Sequence, residues 1–308
     1  MSKKVLLATD KAFAPEAVSG IQKIFDEAGY ELVKLENYTD KADLLKAVAD
    51  ADAMIIRSDK ATAEVIAAAP KLKVIVRAGA GYDNIDLAAA TARDICAMNT
   101  PGQNSNAVAE LAIGMMLYVA RNKFTKGIGS ELRDKVLGIH AYGNVGRFVA
   151  NIAKGFGMHI RAFDPYVPKA AMEAEGVYVC DTVEELYETS DYVSLHIPAN
   201  AETTRSINKN LLFKMKNGAA LINTARKEVV CEEGLKLMFA ERPDFKYATD
   251  VAPDCHAELL ETYGLRYHGT EKKMGAGTGE ANINAGFAAA RQIIAFFEKG
   301  DRTFQVNR

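Results

Sequence analysis

Val136-Leu137-Gly138-Ile139-His140-Ala141-Tyr142-Gly143-Asn144-Val145-Gly146 is the stretch on which the reading of the fold turns. Val136 to Ile139 is a short apolar run that reads as a buried strand. Ala141 to Gly146 is a turn of small residues, which lets the main chain bend tightly and come close to a pyrophosphate. The charge of such a group rests on the N-terminus of the next helix, here read through Arg147 to Phe156. His159 to Asp164 then reads as the next strand, placing a carboxylate about 20 residues beyond the turn, where an adenosine ribose offers two hydroxyls. An acid there favours NAD over NADP. Ala141 stands where a glycine fingerprint has its first glycine, and an alanine adds little bulk to the loop.

Working outward, short apolar runs alternate with helical patterns almost throughout, as expected of parallel sheets with covering helices. In the first third the strands read as Val5 to Ala8, Glu31 to Lys34, Ala53 to Arg57, Val74 to Ala78 and Ile95 to Asn99, with helices such as Pro15 to Ala28 and Lys41 to Ala51 between them. After a helical stretch from Ala107 to Ala120, six strands form a second series: Val136 to His140, His159 to Asp164, Val177 to Cys180, Tyr192 to His196, Ala219 to Asn223 and Lys246 to Val251. The last helix, Glu280 to Lys299, carries an apolar stripe (Ile283, Phe287, Ile294, Phe297) expected to pack back on the first unit. The fold class is therefore α/β, with two doubly wound parallel-sheet domains.

The 308 residues suffice for two buried cores, and a net charge of −2 with interspersed acids and bases gives no footprint for nucleic acid or an anionic membrane surface. No apolar run reaches the roughly 18 residues of a membrane span, and Met1 to Lys4 leads directly into a strand, so a cytoplasmic protein is expected. Cys96, Cys180, Cys231 and Cys255 have no paired metal-ligand spacing and read as free thiols.

Several ordered segments resemble the D-isomer-specific 2-hydroxyacid dehydrogenases: Val76-Arg77-Ala78-Gly79-Ala80-Gly81-Tyr82-Asp83-Asn84-Ile85-Asp86, Asn99-Thr100-Pro101 with Asn104, Ala109-Glu110-Leu111, the glycine turn, Asp164-Pro165-Tyr166, Leu195-His196-Ile197-Pro198, Ile222-Asn223-Thr224-Ala225-Arg226, Asp250-Val251 and Gly275 to Ala281. The resemblance implies a Rossmann NAD domain at 100–280 inserted into a flavodoxin-like substrate domain made of 1–99 plus 281–308. It further implies an active-site cleft between them and a homodimer. Some relatives carry additional regulatory domains, for which this chain leaves no room, so feedback control through one is not expected. Its segment between Arg121 and Lys135 is shorter than the family's dimer-forming loop.

Hydride transfer from a secondary alcohol needs a cation for the substrate carboxylate, a group to take the hydroxyl proton, and a nicotinamide held at one face. Arg226, just past an expected strand at the carboxyl edge of the sheet, can grip a carboxylate bidentately. In the family a histidine paired with a glutamate moves the proton. Here the position two before Gly275 is Lys273, and the glutamate position falls on Cys255. A lysine titrates at about 10.4 and must be brought down to serve at neutrality, which a nearby carboxylate would hinder. Lys273, crowded by Arg226 and desolvated by closure, is thus expected to act as base in oxidation and acid in reduction. His268 is the competitor if its loop bulges, and His256 a weaker one.

By the same resemblance Asn144 and Val145 present amides to the pyrophosphate alongside Ala141, Tyr142 and Gly143. Asp164 takes the ribose, His196, Ile197 and Pro198 lie at the adenosine edge, Thr224, Ala225 and Asp250 neighbour the nicotinamide, and Thr203, Arg226, Gly275 and Ala276 also contact the cofactor. Arg57 with Ser58, and Arg77, would hold substrate, the main chain of Ala78, Gly79 and Ala80 would receive a carboxylate as an amide nest, and Asn104 would touch substrate near the hinge. Cations beyond those a carboxylate needs suit a phosphorylated 2-hydroxy acid. The expected reaction is NAD-dependent oxidation of 3-phospho-D-glycerate to 3-phosphohydroxypyruvate, the opening of serine synthesis. The alternatives are a hydroxypyruvate or glyoxylate reductase and a non-catalytic, NAD-sensing corepressor-like protein.

Overall fold

Described for residues 2–307 in a computed structural model, the chain alternates strands and helices along its length. First come β1 (Lys4–Thr9), α1 (Pro15–Glu27), β2 (Glu31–Glu36), α2 (Lys41–Val48), β3 (Ala53–Ile56), α3 (Ala63–Ala67), β4 (Val74–Arg77), α4 (Leu87–Ala92) and β5 (Cys96–Asn99). Next are α5 (Ser105–Ala120), β6 (Val136–His140), α6 (Asn144–Gly155), β7 (His159–Phe163), α7 (Lys169–Ala174), β8 (Tyr178–Val179), α8 (Val183–Thr189) and β9 (Tyr192–Leu195). The remainder comprises α9 (Lys209–Leu212), β10 (Ala220–Asn223), α10 (Glu232–Glu241), β11 (Lys246–Thr249), α11 (His256–Tyr263), β12 (Tyr267–Gly269) and α12 (Gly279–Lys299). The chain divides into two compact units, one reaching Asn104 and resuming at Thr278, the other spanning Ser105–Gly277. Both divisions fall at a helix start: α5 opens at Ser105, and Thr278 caps α12, its Oγ1 accepting from the Ala281 amide at 3.1 Å.

The first unit holds a five-stranded parallel sheet in the order β2-β1-β3-β4-β5, a flavodoxin-like winding. Side-chain alternation decides which helix covers which face. Val5, Leu7, Ala53, Ile55, Val74 and Val76 point to one side and pack under Ile21 and Phe25 of α1 and Ala289 and Ile293 of α12. Leu6, Ala8, Met54, Ile56 and Ile75 point to the other, against Leu44 and Val48 of α2 and Val65 and Ile66 of α3.

The second unit is a seven-stranded parallel sheet in the order β12-β11-β10-β9-β6-β7-β8, a Rossmann winding extended by one strand. Leu137, Ile139, Ile160, Ala162 and Ile222 face α5 and α6, while Val193, Leu195, Leu221 and Tyr247 face the helices from α8 to α11. The sequence pattern yields six strands, and the seventh corrects it. β12 is three residues ending in glycine, too short and too polar to read as a strand by itself, and pairing with β11 makes it one, Ala248 opposite His268. α6 also starts at Asn144 and not at Arg147, because Gly143 serves as its N-cap and the turn closes directly into the helix, Arg147 N donating to Gly143 O at 3.0 Å.

Among the described residues no helix is long and apolar enough to cross a membrane. All four cysteines are unpaired, and Cys96, Cys180 and Cys255 are buried.

Candidate cofactor and active site

Because every strand of the second unit runs parallel, the carboxyl ends share one edge. In sheet order that edge presents Asp164 after β7, the Ala141–Gly146 turn after β6, His196–Pro198 after β9, Thr224–Arg226 after β10 and Asp250 after β11. The winding reverses between β6 and β9, where open α/β sheets bind their ligands. Four strand spacings separate the two ends of the row, roughly 19 Å at about 4.8 Å each, a span that suits an extended dinucleotide.

At the turn, two glycines do different things. A Cβ on Gly146 would come 2.4 Å from the Ala141 carbonyl oxygen, so a side chain is excluded where α6 crosses β6. A Cβ on Gly143 would meet nothing within 4 Å, so the main chain there is open to an approaching group. No side chain caps α6, which leaves its first amides for an anion. Asp164 beside it accepts from Tyr142 N at 2.8 Å on Oδ2, and from Tyr166 N at 2.8 Å and Val167 N at 3.2 Å on Oδ1. A carboxylate offers about four lone-pair sites, so capacity remains for a ribose hydroxyl.

At the next strand end His196 is buried at Nε2 with no partner there among the described residues, and burial, aided by neighbouring His140, pushes its pKa down to about 3. His140, whose Nδ1 lies 3.2 Å from the Tyr187 hydroxyl, is pushed down to about 4 by burial, which Asp164 opposes. Both rings are neutral at pH 7, so they act here by shape and hydrogen bonding. Ile197 is buried, and Pro198 accepts at 2.5 Å from Thr203 Oγ1, which folds the loop onto itself.

After β10 the wholly buried Asn223 shapes the Thr224–Arg226 loop: its Oδ1 accepts from Ala225 N at 3.0 Å and its Nδ2 donates to Arg226 O at 3.0 Å. Arg226 leaves this small loop extended and exposed. Its Nη1 donates to Ala225 O at 2.9 Å, and Lys273 Nζ, arriving from the 270–277 loop, donates to the same oxygen at 3.0 Å. One carbonyl therefore collects the two cations that the motif spacing singles out, with Lys273 exposed on its loop.

Buried Asp250 holds that loop in place. Its Oδ2 accepts from Gly275 N at 2.7 Å and Met274 N at 3.3 Å, and a Cβ on Gly275 would crowd that oxygen at 2.8 Å. Burial pushes its pKa up, opposed by the Gly275 amide and by the charges of Lys273 and Arg226. Its Oδ1 and the Thr224 Oγ1 are buried polar atoms without partners among the described residues, on neighbouring strand ends of the row, and Ala276 comes directly after the pinned Gly275.

The two other histidines that the sequence offers for the proton both lie against tyrosines. His268 lies in β12 with its ring edge-to-face on Tyr118, 4.8 Å between centroids, and His256 Nδ1 sits 2.7 Å from the Tyr267 hydroxyl. Cys255 is a neutral thiol in the core, pushed up to about 12 by burial and by Glu232, whose carboxylate also accepts its amide at 3.0 Å.

In the first unit, Arg57 and Arg77 end adjacent strands β3 and β4. Among the described residues Arg57 makes no salt bridge, and its guanidinium carbon sits 5.5 Å from the Phe13 ring centroid. Arg77 Nε donates to Arg57 O at 3.0 Å, and its guanidinium lies across Gly79, where a side chain would collide with it. The expected amide nest is narrowed: Ala78 N donates to Ile56 O at 2.8 Å and Gly79 N to Arg77 O at 2.9 Å, because the chain leaving β4 turns back on the sheet. Ala80 keeps its carbonyl engaged instead, accepting from Asn99 Nδ2 at 2.6 Å. Ser58 is exposed and donates to Asp10 Oδ1 at 2.8 Å, and Asn104 lies in the turn before α5.

Two structural contributors escape a reading of the sequence. Asn84 Nδ2 donates to Arg57 O at 3.2 Å and Asp59 O at 2.6 Å, and so fixes the Arg57 loop, while Asn223 does the same for Arg226. Both lie inside the quoted motifs, and an asparagine at a strand end or turn, where its amide can bond nearby main-chain groups, is the signal that could have found them.

The open main chain at Gly143, the uncapped helix, and the orphaned Thr224 and Asp250 atoms fit a dinucleotide laid along this edge. Comparison with known proteins agrees with that geometry. Residues 115–259 match the model of the D-isomer specific 2-hydroxyacid dehydrogenase NAD binding domain. A structure of 3-phosphoglycerate dehydrogenase from Entamoeba histolytica with NAD+ bound superposes with a TM-score of 0.88 at 46% identity, covering 100% of this chain and 99% of that one. D-3-phosphoglycerate dehydrogenase of Methanocaldococcus jannaschii is 38% identical over 290 residues, 88% of this chain and 54% of its own length. Hydroxypyruvate reductase of Thermotoga maritima is 39% identical over 219 residues, 67% of this chain and 70% of its own. The chain thus spans about half the length of several curated relatives it matches. The shared sheet edge, the motifs along it and these matches together place the chain in the family of D-isomer specific 2-hydroxyacid dehydrogenases.

Proposed function

We propose that the chain oxidises 3-phospho-D-glycerate to 3-phosphohydroxypyruvate with NAD. The observation that carries this is the pair of cations at the Ala225 carbonyl, Arg226 and Lys273, on the edge that also bears the glycine turn and Asp164. In this reading Arg226 grips the substrate carboxylate, which fixes the carbinol carbon. Lys273 takes the hydroxyl proton during oxidation and returns it during reduction. The chemistry that NAD supplies when bound is acceptance of the hydride. Thr224 and Asp250 would satisfy their buried, partnerless atoms on the carboxamide, and Asp164 would hold the adenosine ribose and disfavour a 2′-phosphate. Arg57 and Arg77 would take the substrate phosphate, helped by Asn104. Support for the substrate comes from the names of the Entamoeba and Methanocaldococcus relatives.

A second reading, reduction of hydroxypyruvate, is favoured by the Thermotoga relative. It differs in leaving Arg57 and Arg77 without a phosphate to neutralise. We further propose a homodimer in the cytoplasm. The exposed Phe124 and Ile128 in the segment after α5 support the first part, and four unpaired cysteines support the second.

A panel of 3-phosphoglycerate, 3-phosphohydroxypyruvate, glycerate, lactate, hydroxypyruvate and glyoxylate with NAD(H) and NADP(H) tests the reading. The expected outcome is turnover of the phosphorylated acid with NAD, and a KM for it that rises at least tenfold in Arg57→Ala while kcat holds. Preference for hydroxypyruvate over its phosphorylated counterpart would select the second reading, and cofactor binding without turnover of any substrate would overturn both.

A further inference from the structure

Ala141 holds φ 79°, in the left-handed region where a Cβ is crowded by its own main chain. It does so in the middle of the turn on which the cofactor reading rests. Left to itself, such a residue relaxes toward negative φ and carries the next amides with it. Three bonds oppose that. Ala141 N donates to Phe163 O at 3.0 Å, and Tyr142 N donates to Asp164 Oδ2 at 2.8 Å. The third lies on the Tyr142 side chain, 1% exposed, whose hydroxyl donates to Glu175 Oε2 at 3.0 Å. Glu175, just after α7, is itself braced by the Arg147 guanidinium, which lies over the Tyr142 ring at 5.4 Å. Tyr142 therefore ties the strained turn to the ribose-side carboxylate through its main chain and to a separate part of the unit through its phenol.

We propose that Tyr142, through its hydrogen bond to Glu175, is a positioning residue that holds the left-handed turn at Ala141 in its ligand-ready form. The inference rests on the reading that this turn takes the pyrophosphate of NAD. If the turn were stable unaided, the phenol would be a packing group only. If the turn is held by the phenol, losing it lowers the fraction of molecules with the turn in place, and apparent affinity falls by that fraction. The two cases separate because a glycine at 141 removes the strain without touching the phenol.

The experiment measures Kd for NADH, from the cofactor's own fluorescence, in the full chain carrying Tyr142→Phe or Glu175→Ala, each with and without Ala141→Gly. The expected result is a Kd raised about three- to tenfold by either change alone, and by less than twofold once Ala141→Gly is present. Equal losses in both backgrounds, or no loss from either change, would overturn the proposal. Glu175→Ala lies outside the turn, so the comparison survives if Tyr142→Phe fails to fold. An unaltered chain that does not bind NADH would sink the cofactor reading itself, whereas binding that ignores the rescue sinks only this inference.

Discussion

Lys273 and Arg226 come from loops far apart in the chain, yet both donate to the oxygen of Ala225. Under the proposed function the two cations at that shared acceptor take separate tasks. A guanidinium keeps its charge and can clamp a carboxylate, whereas an ammonium can release its proton. Lys273→Met should therefore lower kcat by about 100-fold or more, the usual scale of general acid–base catalysis, while Kd for NADH stays within about twofold. Turnover retained in Lys273→Met would reassign the proton to another group, with His268 tested next by His268→Gln. Both cations are legible from the sequence, because the motif spacing places them at a strand end and before a glycine. The arrangement that unites them is not. It depends on Asn223, a buried amide whose two ends grip successive main-chain groups, and nothing in a linear pattern says which carbonyl an amide will find.

At the scale of elements, uninterrupted apolar runs, such as β3 and the Val136 to Ile139 part of β6, can be read directly, because a strand covered on both faces leaves no polar alternation to confuse. β12 cannot, since its three residues are held by a neighbour and not by their own pattern. The same dependence on tertiary contact decides the close approach of α6 to β6. Gly146 leaves no room for a methyl group, whose nearest neighbour at 2.4 Å would be a main-chain oxygen that cannot rotate away. Gly146→Ala should destabilise the fold by about 1–3 kcal/mol, the usual cost of overpacking, and urea unfolding monitored by far-ultraviolet circular dichroism would read it. Gly143→Ala makes the matching control: with open space around it, stability should change little, and the loss should appear in NADH affinity. Equal unfolding midpoints for Gly146→Ala and the unaltered chain would mean that the helix and strand can separate without loss.

For the whole molecule, the buried histidines set how stability answers to pH. His140 and His196 titrate at about 4 and about 3 in the folded state, and His268 is also lowered, first by its burial and then by the charge of Lys123. In the unfolded chain each returns to about 6.5. Between those limits the unfolded state binds more protons than the folded one, so stability falls as pH falls. The loss begins near pH 6.5 and continues toward pH 4, at up to about 1.4 kcal/mol per pH unit for each fully buried ring. Asp250 works the other way, because a carboxyl pushed up by burial favours the folded state once it is protonated, but it enters only toward the acid end. The window between pH 6.5 and 5 therefore belongs to the histidines. Denaturation midpoints should drop across that window in the unaltered chain and drop less in His140→Gln, whose amide keeps a hydrogen bond to Tyr187 without taking a proton. A flat profile in the unaltered chain would mean that one or both rings can reach water and charge without unfolding, and the polar row beneath the dinucleotide edge would then be looser than its packing implies.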